Sequence, residues 1–538
     1  MKHKVFIFLV LLGIILYTYW ELWDTFFQQD EWASMGLAIA EGPLAVVKYF
    51  SAWELAAGKV RMPGTLMNNF FHLHFPFMVA PFVFFAVSTH WLNSILVYIF
   101  SYQLTKRRFI AIIAAFYFAV ASVSSGAVIW ISAHTTVLPN ALFVLISFVC
   151  YMKYLQNGNT RLRNASFATA IIGFLFKESS VFLLLSLPVL YALFSKKRRS
   201  LKEIVIDHWP LLMYFAFVVV VRMIGLLGAE GQQGVFVTQQ PNVLARLATH
   251  ALFYPVLSFS QMYIPQELMV KVTGKIIVSD IIAVLISMVL IGYSLLVAYK
   301  RTSLQKVIIF SLLYCFLSFL PFIVLDRPMS SYLESRYYYL GVIGAAILLG
   351  TLLDYWKALF AKMRFRIAAI IFIYLLTGIV LYKNSVYIRR EVRRQIIIAD
   401  ERKQFLFGVK EIYPALPDKL IMYITGDSPG FYGIGDLSVP FQQGVGYTMM
   451  VWYFDTGKIP GELLNDMYLW NINAQGYRDI EGRGFGYFYQ IEKLQQAFRE
   501  DPTLVPEQVI GFSYKAGTKE LIDITQEVRK QLQQFRAL

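Results

Sequence analysis

The chain consists of long apolar runs that are separated by short clusters of basic residues. Of its 538 residues, 57% are hydrophobic and 15% are charged, whereas a soluble globular domain carries about 25% charged residues. Apolar runs of roughly 20 residues are long enough to cross the hydrocarbon core of a bilayer as helices. This pattern excludes an ordinary cytosolic enzyme and a disordered chain, and it predicts a polytopic membrane protein.

The formal net charge of +15 would be typical of a nucleic-acid-binding protein if the basic residues formed one patch. Instead, they cluster in short stretches between apolar runs, as in the cytoplasmic loops of membrane proteins. We therefore expect no nucleic-acid partner. Cys150 and Cys315 lie inside apolar runs, so the sequence offers neither a disulfide framework nor a thiolate metal site. The strongest basic clusters are 106–108, 161–163, 196–199, 300–301 and 357–366.

The basic clusters also predict the topology of the chain. If each cluster faces the cytoplasm, an even number of crossings separates each pair. A turn at Lys177 and Glu178 is expected, because it keeps two ionisable groups out of the middle of one long helix. The N-terminus is predicted inside and the C-terminus outside. About eleven crossings are predicted, near residues 5–23, 84–104, 109–125, 136–153, 165–177, 180–195, 207–226, 278–299, 305–325, 337–355 and 367–383.

Two domains follow from this topology. Residues 1–383 form a predicted all-α transmembrane domain, with a first external loop at 24–74. Residues 384–538 form a C-terminal extracytoplasmic domain, whose Pro, Gly and charge content favours an α+β fold. Within it, a strand is predicted over 420–425 and a helix over 519–536. The basic stretch 387–403 is predicted to be an amphipathic helix on the membrane surface.

An acidic pair, Asp30 and Glu31, begins an amphipathic stretch shortly after the first apolar run. Two carboxylates at a membrane face are able to accept a proton from an acceptor hydroxyl or to hold a divalent cation. The alternative is structural, because Asp commonly caps the N-terminus of a surface helix.

Cations and carboxylates also recur at the predicted ends of crossings. Lys177 and Glu178 lie among apolar segments, where ionisable residues usually face a cavity or one another. Glu334 and Arg336 begin the tenth predicted crossing, where a guanidinium suits a lipid-linked phosphate. The alternative is a surface ion pair beside an aromatic belt. Arg61 is a further cation, in the first external loop.

Histidines provide weaker signals. His90 and Asn93 lie on one helical face at i and i+3, which suits either substrate binding or hydrogen bonding between membrane helices. His72 and His74 are a weak metal signal, because residues at i and i+2 share a face only in a strand. The sequence contains no Walker A, Gly-x-Ser-x-Gly or His-Glu-x-x-His motif.

Several of these positions, taken in order over about residues 1–355, resemble the GT-C superfamily of membrane glycosyltransferases. The nearest pattern is that of the protein O-mannosyltransferase-like enzymes, which use polyprenyl-phosphate-linked sugars. Two departures are the segment Ala121-Ser-Val-Ser-Ser-Gly126, where the family has an external carboxylate, and the absence of tetratricopeptide repeats. The matching segments are Asp30-Glu31, Arg61-Met-Pro63, His90-Trp-Leu-Asn93, Ala127-Val-Ile-Trp-Ile-Ser132, Lys177-Glu178 and Glu334-Ser-Arg-Tyr-Tyr-Tyr-Leu340.

The resemblance implies a GT-C-like fold and a glycosyltransferase (hexosyltransferase) that displaces polyprenyl phosphate with inversion at the anomeric carbon. It implies a general base or acceptor-orienting residue at Asp30, with Glu31 as its partner. No cofactor is certain, although a Mg or Mn ion is compatible with the family. The further roles that the resemblance implies are donor-phosphate binding by Arg336, Lys177 and Arg61 and substrate binding by Glu178, Glu334, His90 and Asn93.

On this interpretation the partners are a polyprenyl-phosphate-linked sugar donor, a protein, lipid or glycan acceptor, and membrane lipids. The expected location is the plasma (inner) membrane, with transfer on the extracytoplasmic face. Two alternatives stay open. One is a lipid-linked-oligosaccharide flippase or surface-polysaccharide polymerase, and the other is a membrane anchor that presents the C-terminal domain.

Overall fold

The computed structural model describes residues 2–28, 30–42, 61–195, 200–228, 243–322, 334–362, 364–427, 444–471 and 473–537. The predicted basic cluster at 196–199 lies outside these residues. The first helices are α1 (Lys2–Tyr19), α2 (Asp30–Glu41), α3 (Met62–His74), α4 (Ala80–Thr105), α5 (Arg108–Ala119), α6 (Gly126–Ile129), α7 (Ile131–His134), α8 (Val137–Asn157), α9 (Thr160–Phe176), α10 (Leu183–Phe194) and α11 (Leu201–Gly228).

The remaining described helices include the longest one in the chain, α17. They are α12 (Val243–Gln261), α13 (Gln266–Thr273), α14 (Ile276–Lys300), α15 (Thr302–Phe319), α16 (Tyr338–Phe360), α17 (Arg366–Ile412), α18 (Val445–Trp452), α19 (Gly461–Asn465), α20 (Ile491–Glu500) and α21 (Thr525–Ala537). The described strands are β1 (Lys419–Gly426), β2 (Gly476–Ile480), β3 (Arg483–Phe488), β4 (Val509–Lys515) and β5 (Glu520–Asp523).

Among the described residues, seven helices are long and apolar enough to cross a membrane. Each coincides with a predicted crossing. The other predicted crossings, near 109–125, 165–177, 180–195 and 207–226, fall on α5, α9, α10 and α11, which have 12, 17, 12 and 28 residues. At 1.5 Å per residue, the 12-residue helices reach about 18 Å, which is less than the thickness of the hydrocarbon core. The seven are Lys4–Asp24, Ala80–Thr105, Ile131–Asn157, Ile276–Lys300, Thr302–Phe322, Ser335–Phe360 and Arg366–Ile412.

The predicted turn at Lys177 is confirmed. Helix α9 ends at Phe176, Lys177 is extended (φ −160°, ψ 132°), and a 3-10 helix (Glu178–Phe182) leads into α10. Asn140 of α8 stabilises the break, because its Nδ2 donates to the carbonyl oxygens of Gly173 (2.6 Å) and Lys177 (2.9 Å). Gly173 O also accepts from the Lys177 main-chain N–H, and Lys177 O also accepts from that of Ser180. The amide from the neighbouring helix therefore adds a second hydrogen bond to carbonyls at the end of a helix, where backbone donors become scarce.

The chain divides into two compact units whose boundaries differ from the predicted domains. The helical unit contains residues 1–20, 47–65 and 82–392, and the mixed unit contains residues 21–46, 66–81 and 393–538. Parts of the first external loop, predicted as part of the transmembrane domain, therefore belong with the C-terminal residues. The physical reason is the apolar face of α2, which packs on α18 and α19 and buries Trp32, Met35 and Ala38.

The mixed unit contains a five-stranded sheet with the order β2-β3-β1-β4-β5. The central strand β1 is parallel to β3 and β4, while β2 and β5 are antiparallel edge strands. Helices α20 and α21 cover one face of the sheet over a core that includes Ile421, Val509 and Leu532. The strand predicted at 420–425 is confirmed. The helix predicted at 519–536 is shorter, because residues 520–523 pair with β4 as an edge strand.

Residues 387–403 are helical as predicted, but they do not form a surface helix separate from the last predicted crossing. Helix α17 runs without interruption from Arg366 to Ile412, so that the last apolar stretch and the basic stretch form one 47-residue helix. Residues 384–392, which were assigned to the C-terminal domain, belong to the helical unit. No proline or glycine occurs between Gly378 and Gly408, which leaves the helix without a breaking residue there.

Candidate functional site

Five charged residues from three separate segments of the chain come together in the helical unit. We call Arg61, Lys177, Glu178, Glu334 and Arg336 the charged cluster. Arg61 directly precedes α3, and Lys177 and Glu178 lie in the turn after α9. Glu334 and Arg336 lie on either side of Ser335, the first residue of a 3-10 helix (Ser335–Tyr337) before α16. Lys177 lies within electrostatic reach of the other four members.

Arg61 and Glu178 form the closest pair of the charged cluster. Arg61 Nε donates to Glu178 Oε2 at 3.0 Å, and its Nη2 donates to Oε1 at 2.6 Å. This two-pronged geometry fixes the plane of the guanidinium as well as its position. Because about half of each side chain is exposed, the pair contributes little to stability but keeps Arg61 beside Lys177.

Arg336 is held by one carboxylate and two aromatic rings. Its Nη2 lies 2.7 Å from Glu334 Oε2. Its guanidinium carbon lies 3.9 Å from the centroid of the Trp130 ring and 5.3 Å from that of Tyr337. A guanidinium on an aromatic face is stabilised without giving up its in-plane hydrogen-bond donors.

Lys177 links the two arginines of the charged cluster. Its Nζ lies 5.1 Å from the Tyr337 ring, the same ring that supports Arg336. The side chain is 7% exposed and lies in the turn between two helices, outside the seven apolar spans. Burial, together with the positive charge of Arg61, lowers the pKa of Lys177 to about 7. An anion that binds here would favour the charged form of this lysine.

A glycine allows the segment before Trp130 to approach the 3-10 helix that carries Arg336. Gly126 N donates to Ser335 Oγ at 2.9 Å. A Cβ on Gly126 would lie 3.0 Å from Ser335 Cβ and 3.2 Å from Arg336 N, so a larger residue would separate the two segments. This contact keeps the segment that carries Trp130 close to the one that carries Arg336.

His90 and Asn93 lie within the packing of the helical unit. Both are fully buried in α4. His90 hydrogen-bonds the Tyr339 hydroxyl (2.7 Å) and the Ala119 carbonyl (3.0 Å), while Asn93 Nδ2 donates to Leu138 O and to Tyr339 Oη, each at 3.1 Å. These contacts favour the interpretation of helix–helix hydrogen bonding over substrate binding.

The acidic pair belongs to the mixed unit, and its two members differ. Asp30 is exposed at the first residue of α2, whereas Glu31 is 1% exposed. Glu31 Oε2 accepts a hydrogen bond from the Gln28 main-chain N–H at 3.1 Å. Its carboxylate also acts electrostatically on Arg402, a buried side chain of α17. Glu31 therefore stabilises this end of the helix, and Asp30 is the exposed carboxylate of the pair.

The described residues do not fit a divalent metal site. Across the parts of the chain that the structure describes, no three His, Cys, Asp or Glu side chains are grouped closely enough to hold an ion. Glu178 and Glu334 are each paired with a guanidinium. His72 and His74 lie in α3, where residues two apart point to different faces. The Mg or Mn ion stays a prediction, and no step below depends on it.

Three residues of this arrangement were not assigned a role from the sequence. Trp130 and Tyr337 support the cations, and Asn140 holds the turn at Lys177. The first two lie in segments that resemble the GT-C pattern, so their proximity to Arg336 was a usable signal. Nothing in the sequence relates Asn140 to Lys177, because 36 residues and a helix reversal separate them.

The comparison with solved structures finds chains that are similar to this one. No family model and no curated protein matches the chain. Among solved structures, an oligosaccharyltransferase from Archaeoglobus fulgidus, crystallised in the apo form, is similar with a TM-score of 0.47 and 11% identity. The match covers 85% of this chain and 64% of that one, so the chain spans less than two thirds of the length of that protein. Similarity of this degree assigns no activity.

Proposed function

We propose that the protein is a multi-pass membrane glycosyltransferase of the GT-C type. On this proposal it transfers a sugar from a polyprenyl-phosphate-linked donor to an acceptor on the extracytoplasmic face of the plasma (inner) membrane. The observation that carries the proposal is the convergence of Arg61, Lys177 and Arg336 in the charged cluster of the helical unit.

The charge of the cluster suits a phosphate ester. Its three basic side chains exceed its two carboxylates by one, which matches the single negative charge of a phosphodiester. The Tyr337 ring lies near both cationic groups, with its centroid 5.1 Å from Lys177 Nζ and 5.3 Å from the guanidinium carbon of Arg336. Two cations placed in this way are able to contact two oxygens of one phosphate.

The proposed reaction is a displacement at the anomeric carbon. The acceptor hydroxyl attacks that carbon, the bond from the carbon to the phosphate oxygen breaks, and polyprenyl phosphate leaves with the electron pair. The leaving phosphate gains one negative charge, which Arg336, Lys177 and Arg61 stabilise more strongly than they stabilise the donor. Such differential stabilisation lowers the barrier of the chemical step.

Asp30 is proposed as the group that accepts the proton of the acceptor hydroxyl or orients it. Its exposure at the first residue of α2 leaves its carboxylate accessible, and negative charge at a helix N-terminus is favourable. Glu31 supports the position of this helix end. Glu178 and Glu334 are proposed to orient the cations that they contact.

The decisive test is the transfer reaction itself. The full-length protein in lipid vesicles would be incubated with a panel of polyprenyl-phosphate sugars, and the acceptor fraction would be analysed by mass spectrometry. We expect a mass increase of one hexose in the acceptor and release of polyprenyl phosphate. Addition of EDTA tests the predicted ion, and sided labelling of a single cysteine at position 30 tests the external location of Asp30.

Arg336→Gln and Arg336→Lys separate a role in donor binding from a role in folding. Both variants should insert and purify like the original protein, while transfer should fall at least 100-fold in the glutamine variant and less in the lysine variant. Movement of labelled lipid-linked sugar across the vesicle without a new glycosidic bond would instead support the flippase alternative. Full transfer by Arg336→Gln would contradict the proposed donor site.

A further inference from the structure

Basic residues from separate parts of the helical unit converge at one end of its helices. Lys357 Nζ, in the last turn of α16, lies 4.4 Å from the ring centroid of Phe109 in α5 and 5.9 Å from that of Tyr374 in α17. Arg301 lies over the Tyr355 ring at 5.9 Å, which places the turn between α14 and α15 at the same end. We call the basic residues of these stretches the basic band. They are Lys106, Arg107, Arg108, Lys300, Arg301, Lys357, Lys362, Arg364 and Arg366.

This basic band is remote from the charged cluster. Arg336 lies two residues before α16, and Lys357 lies in the last turn of the same 23-residue helix. At 1.5 Å per residue the helix is about 35 Å long, which is comparable to the thickness of a bilayer. The two groups of cations therefore lie at opposite ends of α16, and the basic band is not part of the proposed donor site.

The basic residues of the band differ in how they are neutralised. Arg107 pairs with Asp354, the one carboxylate between residues 354 and 366. Lys357 is held against aromatic rings, as described above. Arg364 and Arg366 are exposed, and neither forms an ion pair with a carboxylate of the described residues. Their charges are left for a ligand or for solvent.

A shallow groove adjoins these two arginines. It is lined by residues 364–368 and by Ile371, all from the short connection before α17 and from its first turns. The side chains of Phe365, Ile367 and Ile371 are exposed there, and they begin the apolar half of α17. Two guanidinium groups thus lie directly beside an apolar surface of the kind that faces acyl chains.

We infer that this groove binds an anionic phospholipid. Its phosphate lies between Arg364 and Arg366, and one acyl chain lies along Ile367 and Ile371. Basic residues close to a membrane helix attract anionic headgroups, and the apolar lining adds burial of the chain that a soluble phosphate cannot provide. This inference does not depend on the proposed function.

Native mass spectrometry of the full-length protein tests the inference. Protein purified in detergent would be titrated with dioleoyl phosphatidylglycerol or with dioleoyl phosphatidylcholine, and the bound fraction would be measured. We expect one molecule of phosphatidylglycerol to be retained in preference to phosphatidylcholine. The double variant Arg364→Gln, Arg366→Gln should bind phosphatidylglycerol about 30-fold more weakly, whereas Arg364→Lys, Arg366→Lys should retain most of the binding.

The matched control is Lys300→Gln, Lys306→Gln. Both lysines are exposed, lie at or near the turn between α14 and α15, and are not among the residues that line the groove. Unchanged binding in this control supports a specific site, while an equal loss in both double variants shows that only general surface charge matters and overturns the inference. Equal retention of both lipids, or displacement of the lipid by millimolar inorganic phosphate, also overturns it.

Discussion

Arg61 and Glu178 are 117 residues apart in the chain and meet through two parallel hydrogen bonds of 3.0 and 2.6 Å. The contact joins the residue before α3 to the turn after α9. It brings a permanent positive charge next to Lys177, whose pKa burial and Arg61 together lower. A partly exposed ion pair therefore acts less as a stabilising contact than as a means of setting the charge of a buried neighbour.

Donor binding should depend on pH through Lys177. With a pKa of about 7, this lysine loses its proton as the pH rises through neutrality, and its attraction for a phosphate is lost with it. Arg61→Gln removes a neighbouring positive charge, so the pKa should rise and the midpoint should move to higher pH. The measurement is donor affinity from pH 5.5 to 9, and Lys177→Arg should bind without a midpoint in that range.

Loss of the Lys177 proton weakens donor binding as the pH rises, but it should increase the stability of the folded protein. In the unfolded chain its pKa is about 10.5, so between pH 7 and 10.5 the unfolded state binds a proton that the folded state lacks. The Lys177 contribution to the free energy of unfolding therefore rises with pH across this window. If the pH midpoint of donor affinity does not move in Arg61→Gln, the electrostatic link between Arg61 and Lys177 is contradicted.

Trp130 should act through Arg336. Trp130→Leu removes the aromatic face beneath the guanidinium, and donor affinity should fall about 5- to 30-fold, the range for a desolvated cation–π contact. Trp130→Phe keeps a ring and should lose less. The matched control is Trp209→Leu, because Trp209 is exposed on α11. Equal affinities of the leucine and phenylalanine variants would show that the ring has no role beyond packing.

Asp30 and Glu31 should separate cleanly by mutation, although they are adjacent. Asp30→Asn should abolish sugar transfer with an unchanged melting temperature, because Asp30 is exposed. Glu31→Gln should destabilise the protein by about 2–4 kcal/mol, because it removes a buried carboxylate that acts on buried Arg402. Glu41→Gln, at the other end of α2, is the control. Full activity of Asp30→Asn would exclude it as the proton acceptor.

Asn140 should position Lys177 without touching a substrate. Asn140→Leu leaves the carbonyl oxygens of Gly173 and Lys177 without their amide donor, at a cost of about 1–3 kcal/mol. Both the melting temperature and the stabilisation by added donor should fall. Ser147→Ala removes another hydrogen bond between α8 and α9, that between Ser147 and Ser166, and should lower only the melting temperature. If both variants change the melting temperature and the stabilisation by donor equally, the proposed role of Asn140 in positioning Lys177 is contradicted.

The predictions of secondary structure were confirmed where the signal was local. The break at Lys177 followed from the cost of burying charge, and the strand at 420–425 followed from its run of β-branched and apolar residues. Helix α17 was divided wrongly because the composition changes from apolar to basic within it, and a change in surroundings does not by itself end a helix. His90 and Asn93 show the same limit, because periodicity places two polar groups on one face without identifying their partner.

Sequence alone determined the apolar helices of membrane-spanning length, because hydrophobic length is a property of consecutive residues. It also singled out each member of the charged cluster as a candidate site residue. Only the tertiary structure decided which partners meet, since Arg61, Lys177 and Arg336 are brought together by the packing of helices and not by spacing. It likewise assigned α2 to the mixed unit, because the burial of an apolar face depends on a surface formed by distant residues.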